Sequence, residues 1–408
     1  MSWRTKSERS WGRLGMKYNL ADICEYVKGK VDVTILNKDT YISTENMIPN
    51  KGGITSASSL PTITQTQAFF AGDILVSNIR PYFKKIWFAE CDGGCSNDVL
   101  VFRAKDGVNK RFLYYVLADD AFFNYSMVTS KGTKMPRGDK VSIMKYEVPV
   151  FSYEEQRKIA GILEVLDKKI KLNTELNKNL EQQAKAIFKS WFVDFEPFGG
   201  VQPSEMQFIP LQELCKVVTK GTTPTTLGKS FTSSGINFIK AESILDNHSI
   251  DSSKFAFVDE ETNALLKRSV IKANDIIFTI AGTLGRFAMV DNSVLPANTN
   301  QAVAIIRPDE AKITPAYLYS FFIGNWHNEY YSKRIQQAVQ ANLSLTTIKS
   351  LPIAVLNNTT MSNYDKLVSP LFALMKNNEE ENRRLSKLRD VLLPKLMSGE
   401  IDVSNIEL

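Results

Sequence analysis

The segment SKGTKMPRGDK, residues 130–140, places Lys131, Thr133, Lys134, Arg137 and Lys140 close together. Ammonium and guanidinium groups there can neutralise phosphates, and an arginine can fork onto guanine. Gly132 and Gly138 let backbone amides approach a phosphate closely. A second loop of the same half, NIRPYFKK, adds Arg80, Tyr82, Lys84 and Lys85. In the second half, TKGTTPTT supplies Lys220, Thr222, Thr223 and Thr225, and AGTLGR supplies Thr283 and Arg286. NTNQ adds Asn298, Asn300 and Gln301, and QQAVQANLS adds Gln336, Gln337, Gln340 and Asn342. Asparagine and glutamine read adenine through paired bonds to N6 and N7. Each residue alone also reads as part of a solvated loop. The set says more, because polar loops recur at matching points while the segments between them stay apolar.

Catalytic chemistry finds little footing. There is no GxxxxGK[ST] loop, no strand followed by GxGxxG, no HExxH, no GxSxG and no Pro-Pro pair. Two histidines leave little room for a histidine-based site. Asp73 and Glu242 could be imagined in a nuclease site, but turn and cap roles at strand starts account for them better. Cys24, Cys91, Cys95 and Cys215 form no CxxC pair, which favours reduced thiols of a cytoplasmic protein over a metal site. The polar N-terminus carries no signal-peptide core, and no apolar run is long enough to span a membrane. A formal net charge of +6 leans towards a polyanionic partner. The chain reads as non-catalytic.

The elements that position these loops occur twice. NLADICEYVKGK from residue 19 is echoed by PLQELCKVVTKGTTP from residue 210. FFAGDILVSNIRPYFKKIWFAE from 69 is echoed by VIKANDIIFTIAGTLGRFAMVD from 270. CSNDVLVFRAKDGVNKRFLYYVLAD from 95 is echoed by NTNQAVAIIRPDEAKITPAYLYSFFIG from 298. The period is half the chain, so one mixed α/β domain is present in two copies. Strands are predicted over residues 73–76, 86–89, 99–103, 275–280, 287–290 and 302–306, and helices over 110–118 and 315–323. The order is not a repeating βαβ series, so no doubly wound sheet is expected.

Each copy ends in a long helix. Over residues 154–192, Ile159, Leu163, Leu166, Ile170, Leu180, Ala184, Ile187 and Trp191 recur in steps of three and four, a coiled-coil seam. The second copy, residues 363–397, offers Leu367, Leu371, Leu374, Leu385, Leu388, Leu392 and Leu396. Ser152 and Glu155 have capping-box spacing, and Pro370 and Pro394 should kink the second helix or shift its limits. Polar residues interrupt both seams near their midpoints: Asn173 and Asn177 in one, Asn378 and Asn382 in the other. If the helices run antiparallel, the asparagines meet and fix register at some cost in stability. Alternatively they face solvent, and Leu172 and Leu176 fill the seam. The aromatics Trp191, Phe192, Phe195 and Phe198 at the first helix end fit core packing better than docking.

The two-fold repeat, the helix entry VPVFSYEEQRKIAGILEVLDKKIKLN, the exit AIFKSWFVDFEPF and the terminus ENRRLSKLRDVLLPKLMSGEIDV resemble the specificity (S) subunits of type I restriction-modification systems. The second helix lead, TTMSNYDKLVSP, departs from the pattern by lacking the EEQ element. The resemblance implies an α/β (mixed α+β) architecture: two similar target-recognition domains separated by two long antiparallel helices forming a coiled coil. In this chain the first recognition domain would span residues 1–151 and the first spacer helix 152–195. A linker at 196–208, a second recognition domain at 209–358 and a second spacer helix with its tail at 359–408 would follow. Each recognition domain would read one half of a bipartite asymmetric target in double-stranded DNA. The helices would dock two modification (M) subunits for adenine N6-methylation, and two restriction (R) subunits would join them. S-adenosylmethionine, ATP and Mg would belong to those partners and none to this chain. A helix of about 37 residues spans roughly 55 Å, long enough to hold readers over half-sites about 34 Å apart. Two other readings stay open from the residues alone: a coiled-coil adaptor that binds no DNA, and a stand-alone site-specific nuclease or methyltransferase.

Overall fold

The computed structural model describes residues 17–327, 330 and 343–406. It divides into two compact units, Met1–Leu172 with Glu381–Leu408, and Asn173–Glu380.

The core of the first unit is a four-stranded antiparallel sheet of Cys24–Tyr26 (β1), Ile74–Ser77 (β2), Ile86–Phe88 (β3) and Val99–Ala104 (β4), in the order β1-β4-β2-β3. Alternate side chains of β2 point to opposite faces. Ile74 and Val76 join Phe112, Leu113 and Val116 of the helix Lys110–Ala118 (α1), while Leu75 joins Val101, Ile42 and Phe69 on the other face. With both faces covered, the strand is apolar throughout apart from its last residue, Ser77. The asparagine before α1 caps it: the Asn109 side chain accepts the Phe112 N–H at 3.0 Å.

The second unit repeats this plan. Cys215–Lys220 (β5), Ile276–Thr279 (β6), Phe287–Met289 (β7) and Val303–Pro308 (β8) form an antiparallel sheet in the order β5-β8-β6-β7. Ile74 opposes Phe102 as Ile276 opposes Ile306. The helix Pro315–Ile323 (α3) packs on it, capped by Thr314, with proline at its first position. An arginine–carboxylate pair braces each sheet. Arg103 Nε and Nη2 donate to the two Asp73 oxygens at 2.7 Å each, and Arg307 does the same to Asp275 at 2.7 and 2.6 Å. Asp73 also accepts the Phe70 N–H, as Asp275 accepts that of Lys272. Asp73 is therefore a turn and brace residue, as its position at a strand start implies.

Each unit has a second, smaller sheet, and here the repeat is imperfect. In the first unit Tyr41–Ile42 pairs in parallel with Gly93–Cys95, which also pairs with Gln65–Phe69 and, beyond it, Lys30–Asp32. In the second, Ile236–Ile239 pairs in parallel with Ala297–Thr299 and antiparallel with Ala256–Val258.

The long helices are Tyr153–Phe192 (α2, 40 residues) and Asn358–Ser398 (α4, 41 residues). The expected capping box opens α2: the Ser152 N–H donates to Glu155 Oε2 at 2.6 Å, and the Glu155 N–H to Ser152 Oγ at 3.3 Å. Pro370 and Pro394 both lie within the unbroken span of α4. In the first unit the helix segments run antiparallel. Lys169 pairs with Glu381, Asp167 with Arg389, and Lys158 reaches the Ser404 carbonyl. Tyr115 of α1 donates to the same Asp167, tying sheet domain to helix pair. In the second unit the segments also run antiparallel, from Asn177 beside Asn378 to Phe188, Trp191 and Phe192 around the buried Tyr364. Trp191, Phe195 and Phe198 pack on that core, so this aromatic cluster is structural.

The seam of α2 follows the predicted positions, with Ile159, Leu163, Leu180 and Ala184 buried. That of α4 matches the predicted one in part: Leu396 is buried, and Leu371 and Leu392 pack against the cores. Leu367, Leu374 and Leu388 are exposed, and Tyr364, Val368, Phe372 and Met375 are buried instead. The asparagines take the seam: Asn173 and Asn378 are 3% and 7% exposed, while Leu172 and Leu176 are 62% and 42% exposed. The reading in which leucines fill the gap is thereby overturned.

Candidate nucleic-acid interface

In the first unit, three loops are laced together where β2 ends. The Asn78 N–H donates to the Asp98 carbonyl at 2.8 Å and the Gly138 N–H to the Asn78 carbonyl at 3.1 Å. The Arg80 N–H donates to the Pro136 carbonyl at 2.8 Å, and Lys131 and Arg137 exchange backbone bonds of 2.9 and 3.0 Å. Residues 131–137 thus form a small hairpin docked on the loop after β2. The third loop joins through Asn50 N–H to Phe83 O and Lys51 N–H to Lys84 O. Arg80 and Lys84 both adopt positive φ, near 50°, which turns the chain sharply on either side of residues 81–83.

The candidate side chains in this unit have different fates. Lys84 and Lys51 both bind Asp120, at 2.7 and 2.9 Å. Burial pushes the Asp120 pKa up, but the two ammonium groups outweigh it and hold the carboxyl below its usual range. Lys131 pairs with Asp139, whose pKa it pulls down together with the Ser142 N–H, and Arg137 pairs with Asp98 at 3.1 Å. Tyr82 is exposed beside Phe83, and Thr133, Lys134 and Lys140 are exposed as well. Lys85 turns inward: its ammonium donates to the Thr44 carbonyl at 2.6 Å, and burial lowers its pKa. Gly138 does not serve an anion either. Its N–H is already used, and an added Cβ would meet Asn78 Oδ1 at 2.8 Å, so close packing requires the glycine.

The second unit has the same lacing. The Ile280 N–H donates to the Ala302 carbonyl at 2.8 Å, and the Leu343 N–H to the Ile280 carbonyl at 3.0 Å. These match the Asn78–Asp98 and Gly138–Asn78 bonds. The Gly221 N–H reaches the Asn300 carbonyl at 3.1 Å; a Cβ there would lie 1.9 Å from the Thr299 carbonyl oxygen. Loops 220–223, 280–286 and 298–302 are thereby gathered together. Lys220 and Thr225 are exposed, Thr222 accepts from Arg268 at 3.3 Å, and Thr223 donates to the exposed Gln301. Thr283 is exposed and its carbonyl accepts from Thr279, and the Asn300 side chain accepts the Ala302 N–H.

In this unit two residues leave the candidate set, as Lys85 does in the first. Asn298 is fully buried; its oxygen accepts from Ser269 and the Thr299 N–H, and its amide donates to Asn263 and the Leu266 carbonyl. No capacity is left for a base. Arg286 is committed to Asp246 through bonds of 2.6 and 2.7 Å, and also reaches the Ile244 carbonyl. Gln336, Gln337, Gln340 and Asn342 lie outside the described residues. Lys51, Asp98, Asp120 and Arg268 join the candidate residues through their side-chain partners, and the sequence alone does not single them out. Lys51 carried a signal, since it precedes Gly52-Gly53 much as Lys131 precedes Gly132. The others are marked only by their partners in space.

Among the described residues, no three His, Cys, Asp or Glu side chains gather as a metal-holding group, and no helix is long and apolar enough to cross a membrane. Burial pushes the thiols of Cys24, Cys95 and Cys215 up to about 12, so they are poor nucleophiles and ligands near neutral pH.

A loop-bearing sheet domain present twice, each copy packed on a segment of a long antiparallel helix pair, defines a duplicated recognition protein. The chain belongs to the family described as type I restriction modification DNA specificity domain, whose pattern matches residues 15–182 and again 203–357. It is 26% identical to the type I restriction enzyme HindI specificity subunit of Haemophilus influenzae, over 94% of this chain and 99% of that one. It is also 26% identical to the MjaIX specificity subunit of Methanocaldococcus jannaschii, over 74% and 71% of the two chains. The S subunit of a type I restriction-modification system from M. genitalium shares the fold, with a TM-score of 0.57 and 17% identity over 94% of this chain and 96% of that one.

Proposed function

We propose that this chain supplies the DNA sequence specificity of a type I restriction-modification enzyme, each unit reading one half of a bipartite, asymmetric target. The observation that carries this is the matched lacing of two unlike loop sets. Asn78 and Ile280 occupy the same node of the same framework, while the exposed side chains around them differ. One scaffold with two different reading surfaces suits a target whose halves differ.

In this reading the recognition domains are residues 1–151 and 209–358, joined by 196–208, with spacer helices at 152–195 and 359–408. The reading set is Arg80, Tyr82, Lys84, Lys131, Thr133, Lys134 and Arg137 in the first domain, extended by Lys51. In the second it is Lys220, Thr222, Thr223, Thr283, Asn300 and Gln301, with Gln336, Gln340 and Asn342 kept from the sequence. The paired helices dock two M subunits, and two R subunits complete a restricting enzyme in the cytoplasm. The chain itself is non-catalytic and binds no cofactor; S-adenosylmethionine, ATP and Mg act in the partners. Asp73, the acid most easily imagined in a nuclease, is committed to Arg103. Neither the nuclease nor the adaptor reading gains support.

Selection from a randomised duplex pool by the chain in complex with its M subunits tests the proposal. The expected result is enrichment of two short unlike sequences at a fixed gap. An unenriched pool despite a stable complex would contradict it.

A further inference from the structure

Within that DNA-reading role, on which this inference rests, one arginine–carboxylate pair differs from the two that brace the sheets. Asp73–Arg103 and Asp275–Arg307 are bidentate and their carboxylates are buried, so they brace the sheets. Arg137 and Asp98 instead meet through one contact, Arg137 Nη2 to Asp98 Oδ1 at 3.1 Å, with their side chains 54% and 36% exposed. An exposed single-contact pair adds little stability. Yet both backbones are pinned. Arg137 is fixed by its exchange with Lys131 and by a bridge to Ile79, and Asp98 by its carbonyl on the Asn78 N–H and its N–H on Ser96 Oγ at 3.3 Å. Two further facts mark the place as incomplete. The buried atoms Asn78 Oδ1 and Arg80 Nε, on the segment joining the two loops, have no hydrogen-bond partner. Asp98 also lines an open polar cavity of about 540 Å³ with Ser43, Glu45, Ser58 and Ser96.

We infer that Arg137 and Asp98 act together as the reader of one G·C pair in the half-site of the first unit. Guanine O6 and N7 accept a forked arginine, and cytosine N4 donates to a carboxylate. On the major-groove edge guanine O6 and cytosine N4 lie side by side, as the guanidinium and carboxylate do here. The contact between them leaves Asp98 Oδ2 to accept from N4, and Arg137 Nη1 with the second hydrogen of Nη2 to fork onto guanine. The acid also sets the sign of the discrimination. A reversed pair, or an A·T pair with thymine O4 facing Asp98, would place acceptor against acceptor.

The test compares the wild-type chain, Arg137→Lys, Arg137→Ala and Asp98→Asn, each in complex with M subunits, by duplex selection and by sequencing of methylated genomic DNA. The expected result is a G·C pair at one position of one half-site that loses discrimination by about ten- to a hundredfold in all three variants. The other half-site and the gap should stay as in wild type. Lysine keeps the charge but not the fork, so a phosphate contact would survive Arg137→Lys. A full rescue by lysine, with Arg137→Ala weakening all sequences equally, would overturn the inference while leaving the specificity role intact. So would an unchanged motif, or loss of all methylation by variants whose complexes assemble and melt as wild type. Absence of any motif for the wild-type chain would instead remove the specificity role itself.

Discussion

Asn378 donates its side-chain amide to the side-chain oxygen of Asn177 at 2.7 Å, linking the antiparallel helix segments of the second unit. The Asn177 amide continues to the Met375 carbonyl at 2.9 Å. Slipping either helix would strand these groups, whereas a leucine seam would tolerate the slip. Polar seam residues of this kind trade stability for register.

Asn378→Leu leaves the Asn177 oxygen unsatisfied and should cost about 1–3 kcal/mol. The double change Asn177→Leu with Asn378→Leu should recover most of that loss. Denaturant unfolding of the full chain in a double-mutant cycle measures the coupling, and additive losses would contradict the pairing. Leucine at Asn173, Asn177, Asn378 and Asn382 together should loosen the helix pairing, read as an altered oligomeric state or a methylation motif with more than one gap length.

Arg103→Ala and Arg307→Ala each leave a buried carboxylate without its partner, Asp73 or Asp275. Each should destabilise the chain by about 3–5 kcal/mol. Replacement of both members of a pair should cost less than the arginine change alone. A loss of unfolding free energy below about 0.5 kcal/mol for the single changes would show that the brace is unimportant.

His327 is fully buried among Phe278, Phe287 and Phe322. Burial, aided by nearby His248, lowers its pKa from 6.5 to about 3. The folded chain therefore holds a neutral ring where the unfolded chain takes up a proton. Stability should be unaffected by this group above its ordinary value of 6.5 and should fall as pH drops from there towards about 3. The difference in stability between wild type and His327→Phe should shift against wild type across that window, by on the order of a few kcal/mol. A constant difference would contradict the account.

Lys134 and Lys220 are exposed on the two proposed reading surfaces. Alanine at either should weaken binding about equally on all duplexes and lower the slope of log affinity against log salt by about one. A change of preferred sequence without a change of slope would make the residue a base reader instead.

Much of this fold was legible where local chemistry and tertiary packing agree. The helices Lys110–Ala118 and Pro315–Ile323 match the predicted limits because Asn109 and Thr314 cap them. The strands Ile74–Ser77 and Ile276–Thr279 were visible because burial on both faces leaves an unbroken apolar run. The smaller sheets were not legible: Tyr41–Ile42 and Gly93–Cys95 are too short to show a period, and glycine carries no apolar signal. The N-terminal half of the α4 seam is not legible from its leucines, because Leu367 and Leu374 face outward while Tyr364, Val368, Phe372 and Met375 fill the core. At the interface, the exposure of Lys134 and Lys220 followed from loop composition. The commitment of Arg286 could not, since its acid, Asp246, is distant in sequence and meets it only in the folded unit.

Sequencing of methylated DNA from cells carrying this chain with its M subunit, against cells with the M subunit alone, tests the central claim most directly. The account expects a new N6-methyladenine motif of two short unlike halves at one fixed gap. A stable complex that methylates no new motif would contradict it.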